Sequence, residues 1–252
     1  TNTNMFLFEI CANSVRSCLA AQEGGAHRVE LCAALPEGGT TPSYGEIIQA
    51  RELLTTTRLH VIIRPRAGDF LYSQLEIRSM LHDIELCRKA GVDGVVFGCL
   101  TPGGDIDMPL MRRLMAASEG LSVTFHRAFD MTCDPRKALE DIIGLGCDRI
   151  LTSGQQPTAY EGMQLLSELQ QQAAGRIILL AGSGVNPSNI RSIHEQTGIT
   201  EFHFSARSLH ESGMLFRNRQ VSMGGTVTID EYRQPFTTAD NVKHTIGQLT
   251  TS

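Results

Sequence analysis

Residues 7–34 read LFEICANSVRSCLAAQEGGAHRVELCAA, and this stretch decides between two ways of building a parallel sheet. Two apolar runs, 7–12 and 28–34, flank a segment too long for a hairpin, which makes one strand–crossover–strand unit. An open dinucleotide-binding sheet would place Gly-x-Gly-x-x-Gly directly after the first strand. Here the first run passes into Cys11-Ala12-Asn13-Ser14 instead. Six more runs follow: 60–66 (HVIIRPR), 94–100 (GVVFGCL), 122–130 (SVTFHRAFD), 149–155 (RILTSGQ), 177–184 (IILLAGSG) and 201–207 (EFHFSAR). Each is rich in Val, Ile, Leu or Phe and ends in polar or glycine residues, as buried parallel strands do. Strand starts recur at roughly the spacing of one strand–helix unit, about 20–35 residues. Eight such units predict a closed TIM (β/α)₈ barrel, a single domain over 1–252.

Helix signals fill the gaps. Ser43 with Glu46 and Ser73 with Glu76 read as capping boxes. Asp134 before Pro135 reads as an N-cap followed by proline at the first helical position. Gly91 and Gly146 follow helix-forming stretches as C-terminal stops. Two segments fall outside the repeat: the loop Glu37–Pro42, and a long excursion over 208–237 before a final helix at about 238–249. Loops of that length serve as lids, binding loops or interfaces.

Composition excludes several classes. The formal charge of −5 and the absence of a basic stretch argue against nucleic acid. No apolar run reaches the ~18–20 residues needed to cross a bilayer, so no membrane role is expected. No secretory signal is visible in 1–4. Seven cysteines, odd in number and scattered, suit a reducing, cytoplasmic setting rather than a disulfide scaffold. There is no CxxC pair, HExxH or zinc-spaced Cys/His array.

Strand alternation then sorts the polar residues. Phe8 and Ile10 suit the helix layer, which turns Glu9 and Cys11 inward. In the second strand Glu30 and Cys32 turn inward in the same way. Ile62, Arg64 and Arg66 are expected to share one face of the third strand, and His126 and Asp130 one face of the fifth. The eighth offers His203, Ser205 and Arg207. These groups lie late in their strands, where barrel enzymes keep their chemistry. Glu9 and Glu30 would repel and raise one pKa, and Arg64 and Arg66 would lower both again. The group is either a self-neutralising plug or a site for a small anion, with Arg64 and Arg66 as clamp. Glu9, Glu30, Asp69, His126 and Asp130 are then the candidate acids and bases.

Ala181-Gly182-Ser183-Gly184 ends the seventh run. Loops after strands seven and eight bind phosphate in many barrels, so Gly182, Gly184, Ser205 and Arg207 form a candidate anion site. Cys11 and Cys32 sit in matched strings, Phe-Glu-Ile-Cys and Val-Glu-Leu-Cys, on adjacent strands. They are either buried packing residues or two thiolates suited to copper(I).

The strings FEIC, RVELCAA, EGGTTPS, IIRPRAGDF, VTFHRAFDM, RILTSGQ, AGSGV, EFHFSARS and SGMLFRN, in this order, resemble the CutC family of copper homeostasis proteins. The resemblance implies a TIM barrel, a cytoplasmic location, a homo-oligomer and copper(I) bound through the cysteines matching Cys11 and Cys32. It also implies a polar pocket made of Glu9, Glu30, Arg64, Arg66, Asp69, His126, Asp130 and His203. A pocket of carboxylates, arginines and a histidine is not a copper site. An enzyme acting on a small anionic or phosphorylated substrate, and a binding or scaffold protein using 208–237 as an interface, therefore stand beside the metal reading.

Overall fold

The structure, a computed structural model, describes residues 5–250. Eight strands alternate with helices in chain order. They are β1 (Leu7–Ala12), β2 (Arg28–Leu31), β3 (Arg58–Ile62), β4 (Gly94–Phe97), β5 (Ser122–Phe125), β6 (Arg149–Thr152), β7 (Ile178–Gly182) and β8 (Glu201–Phe204). All neighbours pair in parallel, and β8 pairs back to β1, so the sheet closes into the expected barrel. The outer layer is α1 (Val15–Glu23), α2 (Tyr44–Leu53), α3 (Gln74–Ala90), α4 (Met108–Ala117), α5 (Pro135–Leu145), α6 (Met163–Ala173) and α7 (Ile190–Thr197), closed by α8 (Ala239–Thr250). Among the described residues no helix is long and apolar enough to cross a membrane.

Local chemistry explains the helix ends. Ser43–Glu46 and Ser73–Glu76 both form reciprocal capping boxes. Asp134 accepts from the N–H groups of Arg136 and Lys137 at the start of α5. Gly91 and Gly146 close α3 and α5 in the left-handed region, which costs a residue without Cβ little. Between sheet and helices lies the core, in which Phe8 and Ile10 are buried as the alternation of β1 requires.

The strands stop earlier than their apolar runs. β5 ends at Phe125, and Arg127–Met131 form a 3₁₀ turn started by His126, whose Nδ1 accepts from the Ala128 N–H at 3.1 Å. His126 and Asp130 are therefore not two positions of one strand. Likewise β3 ends at Ile62, and Ala206 turns the chain after β8 at a φ of 49°. Arg207 consequently opens a further strand, β9 (Arg207–Glu211), antiparallel to β10 (Arg233–Thr237). The excursion over 208–237 is thus anchored by two paired strands. Its tip exposes Leu215 and Phe216.

Four residues other than glycine take left-handed backbone at the C-terminal rim: Ala34 (φ 49°), Gln155 (φ 59°), Ser183 (φ 82°) and Ala206. They follow β2, β6, β7 and β8. Strain of this kind persists only where its surroundings hold it.

Candidate functional site

A cavity of about 580 Å³ opens at the C-terminal ends of the strands. Its floor is built by register. Glu9 on β1 stands beside Arg28 on β2 and His203 on β8. One step further along, Cys11 stands beside Glu30, and Cys32 follows just past the end of β2. The closed ring leaves these side chains one place to go. Cys11, Glu30, Cys32 and His203 all reach the cavity wall, while Glu9 lies beneath it, fully buried.

Glu9 is gripped from both sides. Arg28 Nε donates to its Oε2, and His203 Nδ1 lies 2.6 Å from its Oε1. Burial opposes a charge on Glu9, but Arg28 and His203 outweigh it and hold the carboxyl well below the usual range. Burial likewise opposes a charged His203. Its bonds to Cys11 and Glu9, with the nearby Glu30, raise it well above an ordinary imidazole. The result is a buried line of alternating charge: Arg28, Glu9, His203 and then the sulfur of Cys11.

The two thiols split. A hydrogen bond from Cys32 lowers Cys11 well below an ordinary thiol; burial opposes this, and His203 and Arg207 assist it. The same bond, burial and Glu30 raise Cys32. The Cys32 thiol lies 3.2 Å from Glu30 Oε1. Burial pushes Glu30 up to about 7, against the pull of His203 and with the charges of Glu9 and Cys11. The repulsion between Glu9 and Glu30 is thus present and raises Glu30. The arginine that lowers Glu9 is Arg28, not Arg64 or Arg66.

Arg64 reaches the cavity but touches no carboxylate. Its guanidinium donates to the carbonyls of Glu37, Gly39 and Gly68 and lies 5.1 Å over the Phe70 ring. Arg66 and Asp69 do not join the site, which corrects the expected shared face. Arg66 turns outward to pair with Asp69 at 2.9 Å and Glu76 at 2.7 Å. The pleat that would have pointed it inward ends at Ile62.

His126 lines the cavity and is buried. Burial first, then Arg64, lowers its pKa to about 3, so the ring is neutral. With Nδ1 accepting from Ala128, the proton sits on Nε2, which has no partner. Asp130 also lines the cavity, but its oxygens are spent on Thr152 Oγ, the Ser153 N–H and Oγ, the Gln155 N–H and Arg127 Nε. It pins the β6 loop.

After β7, Gly184 lines the cavity, as do Ser205 and Arg207. Gly182 does not. It lies below, where an added Cβ would come within 2.5 Å of Leu151 and 3.2 Å of His203. In the loop ahead of α7, Asn186 Oδ1 and Asn189 Oδ1 accept from the Ser188 and Asn186 N–H groups.

Glu9, Glu30 and His203 also bring potential ligand atoms within 4.8 Å of one another. Two oxygens and a nitrogen suit a harder metal than copper(I), and His203 already spends Nδ1 on Glu9. Sequence reasoning missed Arg28 and Arg127. Arg28 was detectable, since it shares the parity of Glu30 and Cys32. Arg127, in a 3₁₀ turn, carried no such signal.

The sequence model described as the CutC family matches residues 6–208. A Bacteroides thetaiotaomicron protein described as a family protein CutC is 68% identical, covering 97% of this chain and 98% of its own. The human copper homeostasis protein cutC homolog is 49% identical, covering 95% of this chain and 88% of its own. A Streptococcus agalactiae crystal structure described as that of a CutC protein is 35% identical with a TM-score of 0.76. It covers 79% of this chain and 98% of its own.

Proposed function

This chain belongs to the CutC family, and from that footing we propose that it binds copper(I) as cargo through Cys11 and Cys32. The observation that carries this reading is the placing of two cysteines, Cys11 and Cys32, on the wall of one cavity, with the Cys32 thiol against Glu30. Soft thiolate sulfurs are the ligands copper(I) prefers, and apart from the exposed Met131 thioether the rest of the cavity wall offers harder atoms.

The surrounding residues prepare the sulfurs. Arg28 fixes the charge of Glu9, and Glu9 fixes His203 in the protonated form with one N–H toward Cys11. Cys11 is thereby held as a thiolate beside an imidazolium. Cys32 keeps its proton until it is displaced, and Glu30 Oε1, 3.2 Å away, is placed to receive it. Copper(I) supplies a Lewis acid strong enough to displace that proton. Phe204 and Ile62 add apolar wall, which keeps water from competing. The reading carries with it a reducing compartment such as the cytosol, and all seven cysteines are free.

The test is an anaerobic copper(I) titration of reduced protein against a chromophoric chelator. Stoichiometric uptake is expected, weakened in Cys11→Ser and in Cys32→Ser. Uptake that persists undiminished in the double variant would remove these ligands and the proposal with them.

A further inference from the structure

We propose that the same cavity holds a second ligand, a small organic anion whose phosphate or carboxylate is clasped between Arg207 and His126. This goes beyond metal binding and does not depend on it.

The first support is Arg207. It lines the cavity, yet its guanidinium makes no hydrogen bond or salt bridge among the described residues. Arg127, on the same wall, is neutralised by Asp130 at 2.8 Å. Arg64 is held by carbonyls, with no carboxylate against it among the described residues. The cavity therefore has two cations, Arg64 and Arg207, that no carboxylate neutralises. Sites of this kind are built for oxyanions, which accept the forked N–H groups of arginine.

The second support is His126, only 5% exposed, with its Nε2–H unpartnered. A buried donor left unpaired destabilises the fold, and a bound acceptor relieves that penalty. Burial of this ring is deliberate in the backbone: a Cβ on Gly98 would come within 2.9 Å of its Nδ1. The turn after β7 adds two more donors. Ala159 and the side chains of Asn186 and Asn189 tie back the Ser183 and Gly184 carbonyls. Among the described residues the N–H groups of Gly184 and Val185 have no acceptor, and both belong to residues of the cavity wall.

Size and wall chemistry narrow the class. About 580 Å³ is far more than one ion needs and falls within the range of small-molecule sites. Leu35, Ile62, Phe70, Leu151, Val185 and Phe204 supply apolar surface between the cations. An inorganic ion would leave that surface wet, whereas a carbon skeleton covers it.

The experiment is calorimetric titration of reduced, copper-free protein with glycerol 3-phosphate, succinate and inorganic phosphate. Saturable binding of at least one of the two organic anions is expected, and which of them binds tells phosphate from carboxylate. Arg207→Gln should weaken it at least about tenfold, the loss of one charge-assisted bond. Arg207→Lys should recover part of it, and Arg219→Gln, on the excursion, should leave it unchanged. Near-native melting of Arg207→Gln shows that the variant is folded. Binding should persist in the Cys11→Ser, Cys32→Ser double variant, so a failed copper titration and a failed anion titration are separate results. Binding of neither organic anion, or equal binding by Arg207→Gln, overturns the proposal.

Discussion

Glu9 Oε1 lies 2.6 Å from His203 Nδ1, while its Oε2 accepts from Arg28. One buried carboxylate thus sets the charge of a histidine on one side and answers an arginine on the other. Glu9→Gln keeps the shape and removes the charge. Arg28 would be left with Glu201 alone, at 3.5 Å. Breaking a buried pair by removing one partner costs about 3–5 kcal/mol, which a urea transition would register. Cys11 would also lose its charged neighbour, so the pH midpoint of its alkylation should move upward. An unmoved midpoint would detach Glu9 from the sulfur.

Glu30 makes stability fall as pH rises. Unfolded, it loses its proton near 4.5; folded, burial holds the proton to about 7. Between those values the folded state binds the extra proton, so stability declines across the window and levels off above it. The decline is on the order of a few kcal/mol. Glu30→Gln should abolish it. His60 and His126, both lowered to about 3, act oppositely, losing stability as pH falls below 6.5. They are common to both proteins and cancel in the comparison. Identical pH profiles for wild type and variant would refute the assignment.

Asp130 is expected to matter for stability more than for ligands. Asp130→Ala would strand the donors of Thr152, Ser153, Gln155 and Arg127 together. The expected cost is about 3 kcal/mol, roughly 6–12 °C in Tm. Anion affinity, measured well below that Tm, should not fall, since the change frees Arg127 on the same wall. A folded, stable variant that fails to bind would instead give Asp130 a direct role.

Leu215 and Phe216, 101% and 78% exposed at the tip of the excursion, are expected to seat against another copy of the chain. Large apolar groups side by side on a projecting segment mark association surfaces. Light scattering should find an oligomer, and replacing both with Asp should lower the mass without lowering the Tm. A monomeric wild type, or a mass indifferent to the change, would dismiss the excursion as an interface.

Most of the architecture was legible because each strand is a continuous apolar run, and helix caps such as Ser43–Glu46 announce themselves locally. Parity also placed Glu9, Cys11, Glu30 and Cys32, since a closed ring gives every second side chain no alternative to the interior. Parity failed where the pleat ended. It assigned Arg66 to the cavity by counting through Pro65, and joined His126 to Asp130 across a 3₁₀ turn. Turns have no fixed period, so position along the chain says little there about direction. Pairing was hidden for a different reason. Which arginine answers Glu9 depends on the stagger between β1 and β2, and composition does not encode stagger.

Ala34, Gln155, Ser183 and Ala206 sit at corners where glycine would be the unstrained choice. A left-handed torsion costs such residues about 1–2 kcal/mol each. Glycine would relieve that cost but admit many more torsions, in the native loops as in the unfolded chain. The mouth therefore trades global stability for stiffness. A guest arriving there meets an aperture whose outline is already fixed, and little of its affinity is consumed in setting the loops in order.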